Sequence, residues 1–288
     1  MRVVDHSTGT LTFMGDITAT DGVGLRFNNA DGVYNFGGNN TMNGGDAAVD
    51  IINGSDGTFT WTDLDILNPN GHALNINSGT ATVTLGADSQ IEQGNAFNAL
   101  RVVDHSGGTI TINGTINATN GNGVLFNNAD GTYALNGSTT LNGGNAALDI
   151  VNGSAGDFTI QNMDITNPTG IGVSIQDLDG GNVSFINGSV ATNATAPTVD
   201  INGGFGNINF LGSDVTQTGT GLVVDVTDFG NGSSNILFDA AGSITATTAG
   251  NLGIRLNNND ANITLASANI ANTSTHAIRS NNSSGQIN

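Results

Sequence analysis

The chain contains no cysteine and no lysine, only 3 prolines and one tryptophan, and Glu92 is its single glutamate. Each scarcity excludes something. Without cysteine there is no disulfide framework, no thiolate ligand and no thiol nucleophile, and cysteine usage says nothing about redox compartment. Without lysine there is no lysine general base and no Schiff base. Five arginines face 24 acidic residues, a formal net charge of −19. Phosphate backbones and anionic membrane surfaces are held by clustered basic side chains, so neither nucleic acid nor a membrane is an expected partner. No run of 18 apolar residues offers a membrane-spanning helix, and the first residues lack the basic-then-apolar pattern of a secretory signal. Export remains open on that ground, because a signal need not lie in this segment.

What the chain does have is 43 glycines among abundant Asn, Thr and Asp, the composition of many short strands joined by tight turns. Repeats carry nearly all of the remaining information. Arg2-Val3-Val4-Asp5-His6-Ser7 recurs as Arg101-Val102-Val103-Asp104-His105-Ser106, an offset of 99. The same offset relates Asn43-Gly44-Gly45-Asp46-Ala47-Ala48-Val49-Asp50-Ile51 to Asn142-Gly143-Gly144-Asn145-Ala146-Ala147-Leu148-Asp149-Ile150, and Asn68-Pro69 to Asn167-Pro168. Inside this duplication lies a period of about 25 residues. Its first landmark alternates outward and inward side chains, as in Thr58-Phe59-Thr60-Trp61, Thr82-Val83-Thr84-Leu85 and Asn207-Ile208-Asn209-Phe210. A late apolar-x-apolar strand follows, as in Leu25-Arg26-Phe27, Val49-Asp50-Ile51 and Val199-Asp200-Ile201, with a weaker strand such as Asp63-Leu64-Asp65-Ile66 in between. Period-2 alternation with one apolar face marks all three as strands.

A unit this short cannot close a core, but stacking the next one on top at the strand spacing of roughly 4.8 Å buries its apolar face. The expected fold is therefore all-β: a parallel β-helix, or β-solenoid, of about eleven coils with three short strands per coil, roughly 50 Å long. Like residues should stack on like, with Phe13, Phe36 and Trp61 in one column and Leu25, Val49 and Leu74 in another. Asn and Gly supply the turns, and stacked Asn could form amide ladders at a corner. The whole of 1–288 reads as one continuous solenoid, with the duplication over 2–100 and part of 101–180 and diverged coils over 181–288. Both ends stop in mid-pattern, as in a fragment of a longer array. Handedness does not follow from the pattern.

Three-strand coils of about 25 residues ending in apolar-x-apolar-Asn resemble the right-handed parallel β-helix repeats of large bacterial cell-surface proteins, including adhesins and autotransporter passenger stalks. The resemblance spans the chain and implies an extracellular or cell-surface location, bacterial or archaeal, and a structural or adhesive role. It is specific for fold and weak for function, because the same architecture also carries polysaccharide lyases, phage tailspikes and ice-binding proteins.

The most informative file is the outward residue of the late strand: Arg2, Arg26, Asp50, Asn75, Arg101, Leu125, Asp149, Ser174, Asp200, Asp225, Arg255 and Arg279. It holds all five basic residues of the protein. One reading is a solvent-facing charge stripe in which Arg26 meets Asp50 and Asp225 meets Arg255, each exposed pair contributing under about 1 kcal/mol. The other is a recognition face, with Arg26, Asp50, Arg101, Asp149, Asp200, Asp225 and Arg255 as candidate binding residues for surface glycans or a partner protein. Asp200 and Asp225 would stand about 5 Å apart, near the spacing used by retaining glycosidases. A flat exposed ladder, however, offers no apolar pocket to raise one of their pKa values. The catalytic motifs of β-helix polygalacturonases are absent, and no catalytic residue is assigned.

No cofactor is called for; calcium is the one ion the carboxylates suggest. The local clusters Asp63/Asp65 and Asp177/Asp179 lack the spacing of known calcium loops and read as turn or outward strand residues. The Thr-x-Thr pairs Thr10/Thr12, Thr58/Thr60, Thr82/Thr84 and Thr109/Thr111 are similar to the flat arrays of ice-binding solenoids, with the register interrupted at Val33/Asn35. His6, His72, His105 and His276 fall in turns or at strand starts and read as surface residues. The sequence thus points to a non-enzymatic scaffold, a rigid stalk or filament segment associating end to end or with further repeats. Its alternative is a binding module using an outward ladder for carbohydrate, divalent cations or ice.

Overall fold

A computed structural model of the chain describes residues 1–45, 49–145, 147–248, 252–271 and 276–288. Asp46, Ala47, Ala48 and Ala146, which belong to the duplicated motif, lie outside the described residues. Every described element is a strand and every pairing between strands is parallel, in a β-solenoid of about 11 turns with a spacing of ~25 residues. No described helix is long and apolar enough to cross a membrane.

Three sheets run along the coil axis. Sheet I is built from the late strands, beginning with Arg2–His6, Leu25–Ala30, Val49–Ile52 and Leu74–Gly79. Sheet II starts with Thr10–Phe13 and sheet III with Ile17–Thr20. Thr58–Leu67 is long enough to serve sheet II with its first half and sheet III with its second. Successive coils place their sheet I strands 24 residues apart at Arg2↔Arg26 and up to 30 apart at Asp225↔Arg255. The longer interval holds Phe229, which is fully buried.

The inward residues stack as like on like. Phe36 lies 4.9 Å from Trp61 with near-parallel planes, Tyr34 stacks on Phe59 at 4.8 Å, and Phe185, Phe210 and Phe238 form a column with centroids 4.6 and 4.5 Å apart. These separations follow from the coil spacing itself, which presents each ring to its neighbour's face at stacking distance. Leu25, Val49 and Leu74 are fully buried in the adjacent column. Phe13 shares the Phe36 register but, in the first coil, remains 41% exposed.

The corners explain the Asn and Gly content. Between sheets I and II the chain turns on residues in the left-handed region, among them Asn29, Asn53, Asp104, Asn128, Asn152 and Asp228, with φ between 51 and 58°. Asn and Asp tolerate this conformation. They also stack: the Asn29 amide donates to Asp5 and the Asn128 amide to Asp104, both at 2.9 Å. Ser55 and Ser154, the third residues of two Asn-Gly-Ser turns, are fully buried and accept the backbone N–H of Ala30 and Ala129. Between sheets II and III glycine is required by close approach, since a Cβ at Gly137 would lie 1.9 Å from the Gly114 carbonyl oxygen. An amide ladder runs along the face of sheet II, where Asn235 donates to Asn207, Asn207 to Asn182, and Asn182 to Asp157, at 3.0, 3.0 and 2.8 Å.

Three of the histidines depart from the surface reading, His105 being buried and His6 and His72 half-buried. His105 is fully buried; its Nε2–H donates to the Ala81 carbonyl at 3.0 Å, and its Nδ1 accepts the Tyr133 hydroxyl at 2.8 Å. The Tyr133 oxygen in turn accepts the Gly131 N–H at 2.9 Å. The duplicate repeats the contact in half-buried form, with His6 Nδ1 2.6 Å from the Tyr34 hydroxyl. The tyrosine that satisfies each ring lies 28 residues downstream, beyond the view of a local reading.

Three outcomes test this account. Phe210→Ala is expected to lower stability by about 3–5 kcal/mol and Thr84→Ala by less than about 0.5 kcal/mol, read from urea denaturation midpoints. Tyr133→Phe strands the His105 Nδ1 and the Gly131 N–H and should cost about 1–3 kcal/mol. Burial holds the His105 pKa below its ordinary 6.5. The unfolded chain therefore binds the proton more tightly, and this residue's contribution to stability is full above pH 6.5 and falls as pH drops below it. A melting series from pH 7.5 to 5.0 on His105→Gln and the parent checks the sign: the drop should be smaller in the variant.

Candidate functional site

The outward file of sheet I follows the register expected from the sequence, from Arg2↔Arg26 through Arg26↔Asp50, Asp50↔Asn75 and Asn75↔Arg101 to Asp200↔Asp225, Asp225↔Arg255 and Arg255↔Arg279. All five arginines of a chain with net charge −19 thus stand in one line. The file is less exposed than a simple solvent-facing stripe: Arg26, Asp50, Asn75, Arg101, Asp149 and Asp200 are half-buried, and Ser174 and Asp225 are buried. The loops that lead from sheet III into sheet I rise beside it. Asn145, Gly170 and Ile171 from two such loops border an open depression that also contains Asp149, Ser174 and Gln176.

Three groups form along the file. In the first, Arg101 Nη1 donates to Asn75 Oδ1 and Asn75 Nδ2 donates to Asp50 Oδ1, both at 2.8 Å. A neutral amide thereby links an arginine to an aspartate two coils away. The expected contact of Arg26 with Asp50 does not form: Asp50 is engaged by Asn75, and Arg26 Nε is buried without a hydrogen-bond partner.

The second group is Asp149 between Leu125 and Ser174. Burial alone pushes its carboxyl up to about 6. No charged residue stands beside it in the file, so desolvation is unopposed.

The third is Asp200, Asp225 and Arg255. Arg255 Nε donates to Asp225 Oδ1 at 2.8 Å and its Nη2 donates to Oδ2, the paired geometry of a guanidinium on a carboxylate. This ion pair matches the sequence expectation, and it is the one found among the described residues. Asp200 is pushed up by its burial and by the Asp225 charge, with Arg255 opposing. The expectation that this file offers no burial to raise a carboxyl pKa is therefore corrected, since burial raises both Asp149 and Asp200.

The flanking loops also bring in residues that the sequence reading left outside the site. His72 accepts the Asn98 backbone N–H through Nδ1 at 3.2 Å, and Phe97 meets its ring edge-on at 5.5 Å. Phe97 is 39% exposed. Burial and the nearby Arg101 charge hold the His72 pKa down, with Asp50 opposing, so the ring lies within electrostatic reach of the first group. Their positions three residues before Asn75 and four before Arg101 are the only sequence signal that could have placed them here.

The remaining candidates are dispersed. Asp65, on sheet III, is pushed up by burial and by the charges of Asp63 and Glu92, whereas Asp177 is a left-handed corner residue with φ 52°. Among the described residues, no three His, Asp or Glu converge to hold a metal ion. The threonines of sheet II align as Thr58↔Thr82 and Thr60↔Thr84↔Thr111, with Val33 and Asn35 separating them from Thr10 and Thr12. Comparison of the chain with protein-family models, with curated proteins and with solved structures finds no match.

The isolated carboxyl gives a signed prediction. With the Asp149 pKa at about 6 in the fold and 3.8 as its ordinary value, the folded protein binds this proton more tightly than the unfolded chain. The contribution is full below pH 3.8 and is lost as pH rises through 6. Asp149→Asn should accordingly stabilise the protein by about 1–3 kcal/mol at pH 7.5 and leave it unchanged near pH 3.5, measured by denaturation at both pH values.

Proposed function

We propose that this protein is a non-enzymatic structural scaffold, a rigid stalk or filament segment of an adhesin-like protein at the bacterial or archaeal cell surface. The observation that supports the reading best is the parallel pairing that runs coil upon coil through all three sheets among the described residues, with identical or similar residues repeated in the core columns. Such a chain lengthens by adding coils, and each added coil meets the same packing problem already solved by its neighbour. The 99-residue duplication is what that mode of growth leaves in a sequence. A net charge of −19 works against lateral association of such rods.

End-to-end association, or continuation into further repeats, fits the same geometry. Each described sheet I strand pairs in parallel with its neighbours along the rod, and a parallel strand edge is a template for a further strand. Against catalysis stands the use of Asp225: both its oxygens are taken by Arg255, which leaves Asp200 without a free second carboxylate of the kind a glycosidase needs.

Negative-stain electron microscopy with analytical sedimentation tests the reading, alongside incubation with a panel of acidic and neutral polysaccharides. Rods of about 50 Å or end-to-end multiples of that length are expected, with no new reducing ends released. Specific turnover of any polysaccharide, abolished by Asp200→Asn, would refute it.

A further inference from the structure

We propose that Asp50, Asn75 and Arg101 on sheet I, with His72 and Phe97 on the loops that lead into the Asn75 and Arg101 strands, form a binding subsite for a neutral oligosaccharide. The proposal goes beyond the scaffold reading, which stands or falls without it. The floor is preorganised. Arg101 donates to Asn75 and Asn75 donates to Asp50, each at 2.8 Å, so three planar polar side chains on adjacent coils are locked in one line. Its formal charges cancel, an acceptor standing at one end and a donor at the other. Asp50 has its second oxygen and Arg101 its remaining N–H groups to offer a ligand. Those ends are two coil spacings apart, about 10 Å, the reach of about two pyranose rings along the rod axis.

The wall supplies the other half of sugar recognition. A pyranose has an apolar face of C–H groups and a rim of hydroxyls, so its site pairs an accessible aromatic ring with a few fixed polar groups. Phe13, Phe97 and Phe205 are the large aromatic residues exposed among the described residues, and of these Phe97 lies on the loop that enters the Arg101 strand. The ring is held edge-on by His72, which is itself fixed by the Asn98 backbone.

Charge decides the class of sugar. In a chain of net charge −19, with Asp50 in the floor, a polyanion is repelled. Arg101 is moreover already met by an amide oxygen. The other arginine with a tight partner, Arg255, is closed onto Asp225 and offers no comparable donor–acceptor line.

Calorimetric titration of the full chain with a panel of neutral di- and trisaccharides, including cellotriose, maltotriose and mannotriose, tests this, with trigalacturonate as the charged counterpart. At least one neutral sugar is expected to bind with a Kd at or below about 1 mM, and Phe97→Ala and Arg101→Met should each weaken it about tenfold or more, ~1.4 kcal/mol. Thr84→Val, on sheet II, should leave the affinity unchanged. Circular dichroism establishes that the variants are folded, and Phe97→Leu, which keeps an apolar body without the ring, replaces the alanine variant if that one is not. Absence of saturable binding by the whole neutral panel at about 20 mM, tighter binding of trigalacturonate, or affinity untouched by both site substitutions overturns the proposal.

Discussion

A coil of about 25 residues contributes only a few apolar side chains, and it acquires a core only when its strands hydrogen-bond in register to those of the next coil, about 4.8 Å away. Every other feature of the molecule is subordinate to that repeat distance. It sets the ring separations of the Tyr34–Phe59 and Phe185–Phe210–Phe238 columns. It brings each Asn amide within hydrogen-bond reach of its counterpart one coil earlier, as in Asp157–Asn182–Asn207–Asn235. It also admits only glycine where two backbones must touch, as at Gly114 and Gly137.

The same constraint has an electrostatic cost. A register that stacks like on like also sets Asp200 beside Asp225 and Arg255 beside Arg279, and like charges directly opposite one another destabilise a sheet. The sheet I file answers in three ways. An amide is interposed between opposite charges at Asn75, Asp225 is clamped by the guanidinium of Arg255, and Asp149 is set between uncharged neighbours, where it is burial rather than repulsion that resists its ionisation. On the corners, aspartates such as Asp5 and Asp104 end short ladders as terminal acceptors for the asparagine above. An acidic chain without lysine can therefore place its carboxylates at ladder ends, where each meets an N–H rather than another carboxylate.

In a solenoid with one line of arginines, the coil spacing fixes the distances between successive polar groups. Preorganisation of this kind lowers the entropic penalty of binding. The loops between sheets III and I are free of the strand register and are where individuality enters, through Phe97, His72 and Ile171, while the strands beneath them repeat.

The amino-acid sequence by itself determined the all-β class, the coil length, the three strands per coil and the residue-by-residue alignment of the sheet I file. All of these follow from period-2 alternation and from repeats, which are local properties of the chain. It also implied the Asp225–Arg255 pair, because adjacent coils in one file must touch. Only the tertiary structure decided how deeply that file is buried, why Arg26 fails to meet Asp50, that His105 lies in the core under Tyr133, and that Phe97 packs against His72. Those outcomes depend on where irregular loops fold back over the sheet and on which of several reachable partners a side chain takes. Neither leaves a periodic trace in the sequence, because each is settled by contacts between residues that no fixed spacing relates.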